Sequence, residues 1–318
     1  MDIKTNIPLA NKNWFRTGGA AKFFCEPIDQ TEFSQALEFA QKTHCDIYLL
    51  GQGANVLIND NGVDGLVIRP QVKTLQVNTD DTVTAGAGVT LDELINFCLE
   101  NNLSGLEEFS GIPGTVGGSV YINIHYFEFF LSNFLTRATV ISKHTGKTQV
   151  VTKDWFNFSY DSSKLFEKEF YLVDATFNLK KIDDYQAAYA KGRKIEIIRH
   201  RNNRYPTERS CGSFFRNFLD HEVPFTIKGK KILAVAYYLD KLGIKGDLSV
   251  GKAIVFYKHA NMIVSQDGAT SENILQLART IQELTKEKFG IVPTPECQFI
   301  GFNTTDKIVN VTYSTTTL

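Results

Sequence analysis

The sequence predicts an α+β fold divided among two or three domains, and three observations carry that prediction. A chain of 318 residues is longer than one ordinary hydrophobic core serves, at roughly 100 to 150 residues per domain. Short runs of β-branched and aromatic residues are interspersed with helical patterns of apolar residues, without repeats. Glycine-rich turns stand beside several of the strand-like runs, at Gly18-Gly19, Gly51 to Asn55, Gly86 to Gly88 and Gly111 to Ser119.

Composition narrows the partners. With 43% hydrophobic and 22% charged residues, a net charge of −1 and a pI near 6.6, the chain gives no electrostatic reason to expect nucleic acid or a membrane surface, so a charged ligand must be met locally. Met1 to Asn6 lacks the basic-then-apolar pattern of a signal peptide, and no apolar run approaches the ~20 residues of a membrane span, so a cytoplasmic location is expected. Five cysteines without a CxxC pair read as reduced thiols. Six histidines without HxH or HExxH spacing leave no expected metal site.

Taken in order, Lys22 to Cys25 reads as a strand after Arg16-Thr17-Gly18-Gly19. Asp29 with Glu32 opens a helix whose Phe33, Leu37 and Ala40 share one face. Ile47 to Leu50 is a short strand leading into Gly51-Gln52-Gly53-Ala54-Asn55, and Val56 to Ile58 continues as another. That continuation excludes a Rossmann turn, which needs a helix there, and the missing Gly-Lys-Ser/Thr excludes a Walker A loop. Strands are expected at Leu66 to Ile68 and Thr82 to Ala85. Thr90 with Glu93 opens a second helix that buries Leu91, Leu94, Ile95 and Cys98.

Beyond the glycine stretch, Ala138 to Ile141 and Gln149 to Val151 form a hairpin around His144 to Gly146, and Tyr171 to Leu179 forms a long strand. A basic helix over 184–204 reads as a solvated face and stops before Pro206. A last helix carries Ile274, Leu277, Ile281 and Leu284 to Gly290. The expected division is 1–70, 71–181 and 182–303, with a Thr-rich tail over 304–318.

Four glycines and a proline between Gly111 and Ser119 admit positive φ and close backbone approach, and successive N–H groups in such a run suit an anion; an ordinary tight turn uses the same residues. Three companion turns favour a large anionic cofactor over a single phosphate.

In order and spacing, Arg16-Thr17-Gly18-Gly19, Gly51-Gln52-Gly53-Ala54-Asn55, Thr84-Ala85-Gly86-Ala87-Gly88 and Gly111-Ile112-Pro113-Gly114-Thr115-Val116-Gly117-Gly118 resemble the UDP-N-acetylenolpyruvoylglucosamine reductase (MurB) family. Ser210 to Asn217, Lys258-His259-Ala260-Asn261 and Pro295-Glu296 resemble that family's C-terminal domain, and the similarity runs from about Ile7 to Phe302. The resemblance implies a two-subdomain FAD-binding domain of the PCMH type, as in the vanillyl-alcohol-oxidase group, and a C-terminal α+β substrate-binding domain. It further implies noncovalent FAD, NADPH as cosubstrate, a UDP-sugar substrate, a monomer, and a place in peptidoglycan synthesis. NADPH reduces the flavin, a hydride passes from N5 to C3 of the enolpyruvyl group, and a proton reaches C2. No insertion stands between Leu179 and Ser210, as in the branch without the extra tyrosine loop.

By the resemblance, Ser213 is the proton donor and Glu296 the second catalytic acid. The expected cofactor-binding residues are Arg16, Gly51, Gln52, Gly53, Ala54, Asn55, Gly111, Pro113, Gly114, Thr115, Gly117, Gly118 and Ser119. Tyr160, Arg216, Asn217 and His259 are expected to bind substrate. Arg216 replaces the family's usual lysine, which keeps the charge and changes the geometry.

Two departures stand out. The family's Gly-Tyr-Arg-x-Ser pattern supplies a catalytic arginine, and the matching stretch here is Ser159-Tyr160-Asp161-Ser162-Ser163, with an anion at the arginine position. An anion there cannot stabilise charge developing on the substrate carboxylate. In an extended segment Lys164 points to the face opposite Asp161. After Asn123 the family continues Ala-Gly-x-x-Gly, whereas this chain has Ile124-His125-Tyr126-Phe127-Glu128. Two further readings therefore stay open: an FAD-binding paralogue with lost or altered activity, and a nucleotide-sugar-binding module without redox chemistry.

Overall fold

The computed structural model describes residues 1–302; the Thr-rich tail expected over 304–318 lies outside them. The chain forms two compact units. The first draws on Met1–Ile7, Ala21–Gly53 and Asp64–Asn203, and the second on Pro8–Ala20, Ala54–Val63 and the chain from Arg204 onward. The chain thus passes between the units more than once, whereas the segments drawn on the sequence are contiguous.

In the first unit, helix α1 (Gln30–Thr43) starts where the Asp29 carboxylate accepts the Glu32 N–H, and it buries Phe33, Ala36, Leu37 and Ala40. That face packs with Leu66 and Ile68 of a four-stranded sheet ordered Lys4–Pro8, Ala20–Cys25, Val63–Ile68, Asp46–Leu49. Helix α2 (Leu91–Glu100) opens with the Thr90/Glu93 capping box and buries Leu91, Leu94, Ile95, Cys98 and Leu99.

A five-stranded antiparallel sheet runs in the order Thr148–Thr152, Leu135–Ser142, Phe170–Asn178, Thr82–Gly86, Leu75–Val77. Its central strand, Phe170–Asn178, sends Tyr171 and Val173 into the α1 core and Leu172, Ala175 and Phe177 into the α2 core. Burial on both faces explains why that strand reads as almost continuously apolar rather than alternating.

Helix α3 (Val116–Tyr121) begins inside the glycine stretch, capped by Thr115, where the sequence reading has only a turn. Helix α4 (Asp184–Arg204) covers the 184–204 range expected and packs Ala187 and Ala190 into the α2 core. Its basic face is only partly solvated: Arg193 grips Glu108 through Nε and Nη2 at 2.9 and 3.0 Å, and Lys194 lies 2.8 Å from Asp92.

The second unit holds α5 (Val235–Leu242), α6 (Ser271–Phe289) and a three-stranded antiparallel sheet of Ser249–Val250, Ala253–Val255 and Ile263–Ser265. Helix α6 ends at Gly290, in the left-handed region as the sequence suggests. Strand Gln298–Ile300 pairs in parallel with Val56–Ile58. Phe214, Phe215, Tyr238, Leu239, Ile274 and Leu277 centre this unit's core. Among the described residues no helix is long and apolar enough to cross a membrane, and no group of three or more His, Cys, Asp or Glu is placed to hold a metal.

Candidate functional site

The first unit brings three of the four glycine turns together, the Gly111–Ser119 stretch meeting both Gly51 and, through the Gly117 N–H to Ala87 O at 2.9 Å, the Gly86–Gly88 turn. A Cβ on Gly51 would fall 2.7 Å from Thr115 Oγ1, so only glycine lets this loop lie against the cap of α3. Gln52 completes the junction, its Oε1 accepting the Gly114 N–H at 2.8 Å.

The N–H groups of the opening stretch are largely spent inside the fold, contrary to its reading as an array of free donors. Those of Gly114, Val116, Gly117, Gly118 and Ser119 donate to Gln52 Oε1, Val89 O, Ala87 O, Thr115 Oγ1 and Thr115 O. The N–H groups of Gln52, Gly53 and Ala54 donate to no acceptor among the described residues, so the donor array lies one loop earlier in the chain.

What Gly111 to Ser119 offers a ligand is open backbone. Gly111 and Gly114 hold φ of +75° and +147°, and a Cβ on Gly114 or Gly118 would meet nothing closer than 3.7 Å. Pro113 stands in this run, and Gly117 packs on Ala87 O, 3.1 Å from where its Cβ would be. Ser119 is buried. Gly18 and Gly88 have a packing reason of their own: a Cβ would fall 2.7 Å from Ile58 Cβ at Gly18 and 2.6 Å from Pro70 O at Gly88.

The chain leaving α3 reaches the second departure directly. Asn123, buried and at φ +49°, donates through Nδ2 to Ser159 O at 3.0 Å and accepts the Ser132 N–H at 3.2 Å. Ser163 Oγ donates to Tyr121 O at 2.7 Å. These bonds lace 121–132 to 159–163 and set His125 Nδ1 3.2 Å from Asp161 Oδ1. Tyr160, expected to bind substrate, lays its ring 4.7 Å from the imidazole. Lys164 turns to the Trp155 ring, 5.1 Å away.

In the second unit, Ser213 lies on a segment pinned from two sides. It bridges Met262, while Glu296 N–H donates at 2.9 Å to the carbonyl of Phe214, the next residue. The two expected catalytic residues therefore stand on adjoining backbones. Asn261, buried, fixes this register by accepting the Phe215 N–H at 3.0 Å and donating to Phe215 O at 2.7 Å. Its role was hidden in the sequence, where only the Lys-His-Ala-Asn run marked it. Asn55 Nδ2 donates to Glu296 O at 3.4 Å, and its buried Oδ1 has no hydrogen-bond partner among the described residues.

The remaining expected residues have partners within the second unit. Arg16, at φ +57°, pairs with Glu208 at 2.7 Å. Arg216 grips Glu222 with both Nη atoms, at 2.7 and 2.6 Å. Burial opposes ionisation of Glu222, but the Arg216 and Leu219 donors outweigh it and hold the carboxyl below its usual range. Asn217 Oδ1 accepts the Val235 N–H that starts α5, at 3.2 Å. His259 takes the Asn261 N–H on Nδ1 at 3.3 Å, and burial, reinforced by the Arg204 charge, pushes its pKa down.

The chain is similar to known proteins over nearly its whole length. Residues 204–300 match the C-terminal domain of UDP-N-acetylenolpyruvoylglucosamine reductase, and residues 21–152 match an FAD-binding domain. A UDP-N-acetylenolpyruvoylglucosamine reductase from Lactobacillus acidophilus is 31% identical over 310 residues, covering 95% of this chain and 96% of the relative. One from Clostridium perfringens is 28% identical over 305 residues, covering 94% of this chain and 93% of its own. The crystal structure of the Thermus caldophilus enzyme superposes with a TM-score of 0.76 at 25% identity, covering 94% of this chain and 99% of that one. The chain belongs to the UDP-N-acetylenolpyruvoylglucosamine reductase family.

Proposed function

We propose that the protein is an FAD-dependent reductase that converts UDP-N-acetylglucosamine enolpyruvate to UDP-N-acetylmuramate with NADPH. The observation that carries this reading is the pinning of Ser213 and Glu296 on adjoining backbones, in the region that matches the family's C-terminal domain. The reading places the protein in the cytoplasm, as a monomer serving cell-wall precursor synthesis.

The residues present fit FAD. Gln52, Gly53 and Ala54 leave N–H donors unspent that would suit a diphosphate, and the open sides of Gly114 and Gly118 would admit a flat or anionic group against the backbone. The buried, unsatisfied Oδ1 of Asn55 is an acceptor waiting for a donor. When bound, FAD supplies the hydride transfer from NADPH to C3 of the enolpyruvyl group.

Ser213 then delivers the proton to C2, so the double bond gains one hydride and one proton. In the second unit Glu296, acting as the acid, donates its proton to the carboxylate end, and Asn217 positions the turn from which α5 starts. Arg216, gripped by Glu222, supports the diphosphate region chiefly by fixing this turn.

Asp161 at the arginine position motivates a second reading, a flavoprotein with a changed reaction. A visible spectrum tests the cofactor: flavin bands near roughly 375 and 450 nm are expected from purified protein or after adding FAD. NADPH oxidation that depends on the enolpyruvyl substrate separates the two readings, and its absence would favour the second.

A further inference from the structure

Asp161 occupies the left-handed region at φ +53°, and its side chain is nine-tenths buried, at 10% exposure. A carboxylate in such a place is costly unless it is partnered. Oδ1 has the His125 ring at 3.2 Å, while the buried Oδ2 has no hydrogen-bond partner among the described residues. His125, at 20% exposure, is itself fixed, stacked on Phe130 at 5.2 Å and tilted against Tyr160 at 4.7 Å. A proton on Nδ1 suits the Asp161 contact and leaves Nε2 as the ring atom to face a ligand.

The backbone sets this pair just beyond α3, which opens in the Gly111–Ser119 run. Ile124 N–H donates to Ser119 O at 2.8 Å, so His125 is the residue after one tied back to α3. Of the nearby cations, Lys164 lies over Trp155 at 5.1 Å, and Arg201 lies over Tyr126 at 5.4 Å with its side chain against Gly111. Among the residues expected to act on substrate, Arg216 is gripped by Glu222. Adding a hydride to C3 of an enolpyruvyl group drives electron density toward the carboxylate, and that charge calls for a preorganised donor.

Resting on the reductase reading above, we propose that His125 is the cationic hydrogen-bond donor to the substrate carboxylate, through Nε2–H. Asp161 is its positioning residue, holding the tautomer and the ring plane. The two departures from the family pattern are then one compensated exchange: the arginine is lost, and a histidine from the small antiparallel hairpin of His125–Tyr126 and Phe129–Phe130 takes over its charge. The unsatisfied Oδ2 accepts a donor from the bound ligand or from water.

The test is anaerobic stopped flow on the holoenzyme, with the flavin first reduced by NADPH and then reoxidised by the enolpyruvyl substrate. His125→Gln is expected to slow reoxidation about 10²- to 10³-fold, as loss of one such donor does, while leaving reduction by NADPH unchanged. His125→Arg, which keeps a cation, is expected to retain most of the rate, and Asp161→Asn to lose part of it. In ¹⁵N-histidine spectra of the unmutated holoenzyme, binding of UDP-N-acetylmuramate is expected to bring one imidazole to the doubly protonated form, a signal that His125→Arg removes. Native-rate reoxidation in His125→Gln, or no such imidazole signal, overturns the assignment. An unmutated enzyme that the substrate cannot reoxidise at all overturns the reductase reading instead.

Discussion

His125 Nδ1 and Asp161 Oδ1 meet at 3.2 Å, and this contact joins two stretches that depart separately from the family pattern. Asp161 is therefore not a simple loss of charge but one half of a pair. Restoring the family residue alone should harm the protein: Asp161→Arg sets a guanidinium against His125 and is expected to slow substrate-dependent flavin reoxidation. A gain in rate would contradict the pairing.

Ser213 is held between Met262 and the Pro295-Glu296 segment by backbone bonds that do not use its hydroxyl. Ser213→Ala should accordingly leave the fold and the NADPH half-reaction intact while slowing reoxidation by substrate about 10²- to 10⁴-fold, the usual cost of a positioned acid. Rapid-mixing absorbance measures both halves, and equal loss in both would remove the proton-donor role.

Gly118 separates a packing glycine from a ligand glycine. Its missing Cβ has 3.7 Å of room, so Gly118→Ala should raise the stability of the FAD-free protein by about 0.5 to 1 kcal/mol, as in other helix interiors, yet weaken FAD binding. Gly88→Ala, with Pro70 O 2.6 Å from the new methyl, should destabilise the fold itself. Thermal melts and FAD fluorescence titrations distinguish the two.

The Arg216–Glu222 pair carries a pH signature. The folded carboxyl titrates below its ordinary value, so its stabilising contribution is full above about pH 4.3 and is lost as pH falls through the depressed folded value. Glu222→Gln is expected to cost about 1.5 to 3 kcal/mol near neutrality, in the range of hydrogen bonds to charged groups, and progressively less in acid. Urea titrations across that range measure it. An equal cost at all pH values would mean that the charge is irrelevant.

Local signals carried much of the fold into the sequence. Asp29 with Glu32, Thr90 with Glu93 and Gly290 marked helix ends because caps depend on neighbours a few residues away. Helix α3 was hidden because Gly117 and Gly118 are poor helix formers; Thr115 caps it and packing holds it. The separate fates of the four glycine turns were also hidden, since only three-dimensional neighbours tell a glycine that avoids Pro70 from one that leaves room. The His125–Asp161 and Arg216–Glu222 contacts depend on hairpin and turn geometry that spacing does not encode.

The central claim, that this chain is a working reductase, is tested most directly by reducing its flavin with NADPH under anaerobic conditions and adding UDP-N-acetylglucosamine enolpyruvate. Rapid return of the oxidised flavin spectrum is expected, with one UDP-N-acetylmuramate formed per flavin. A flavin that stays reduced in the presence of saturating substrate would contradict it.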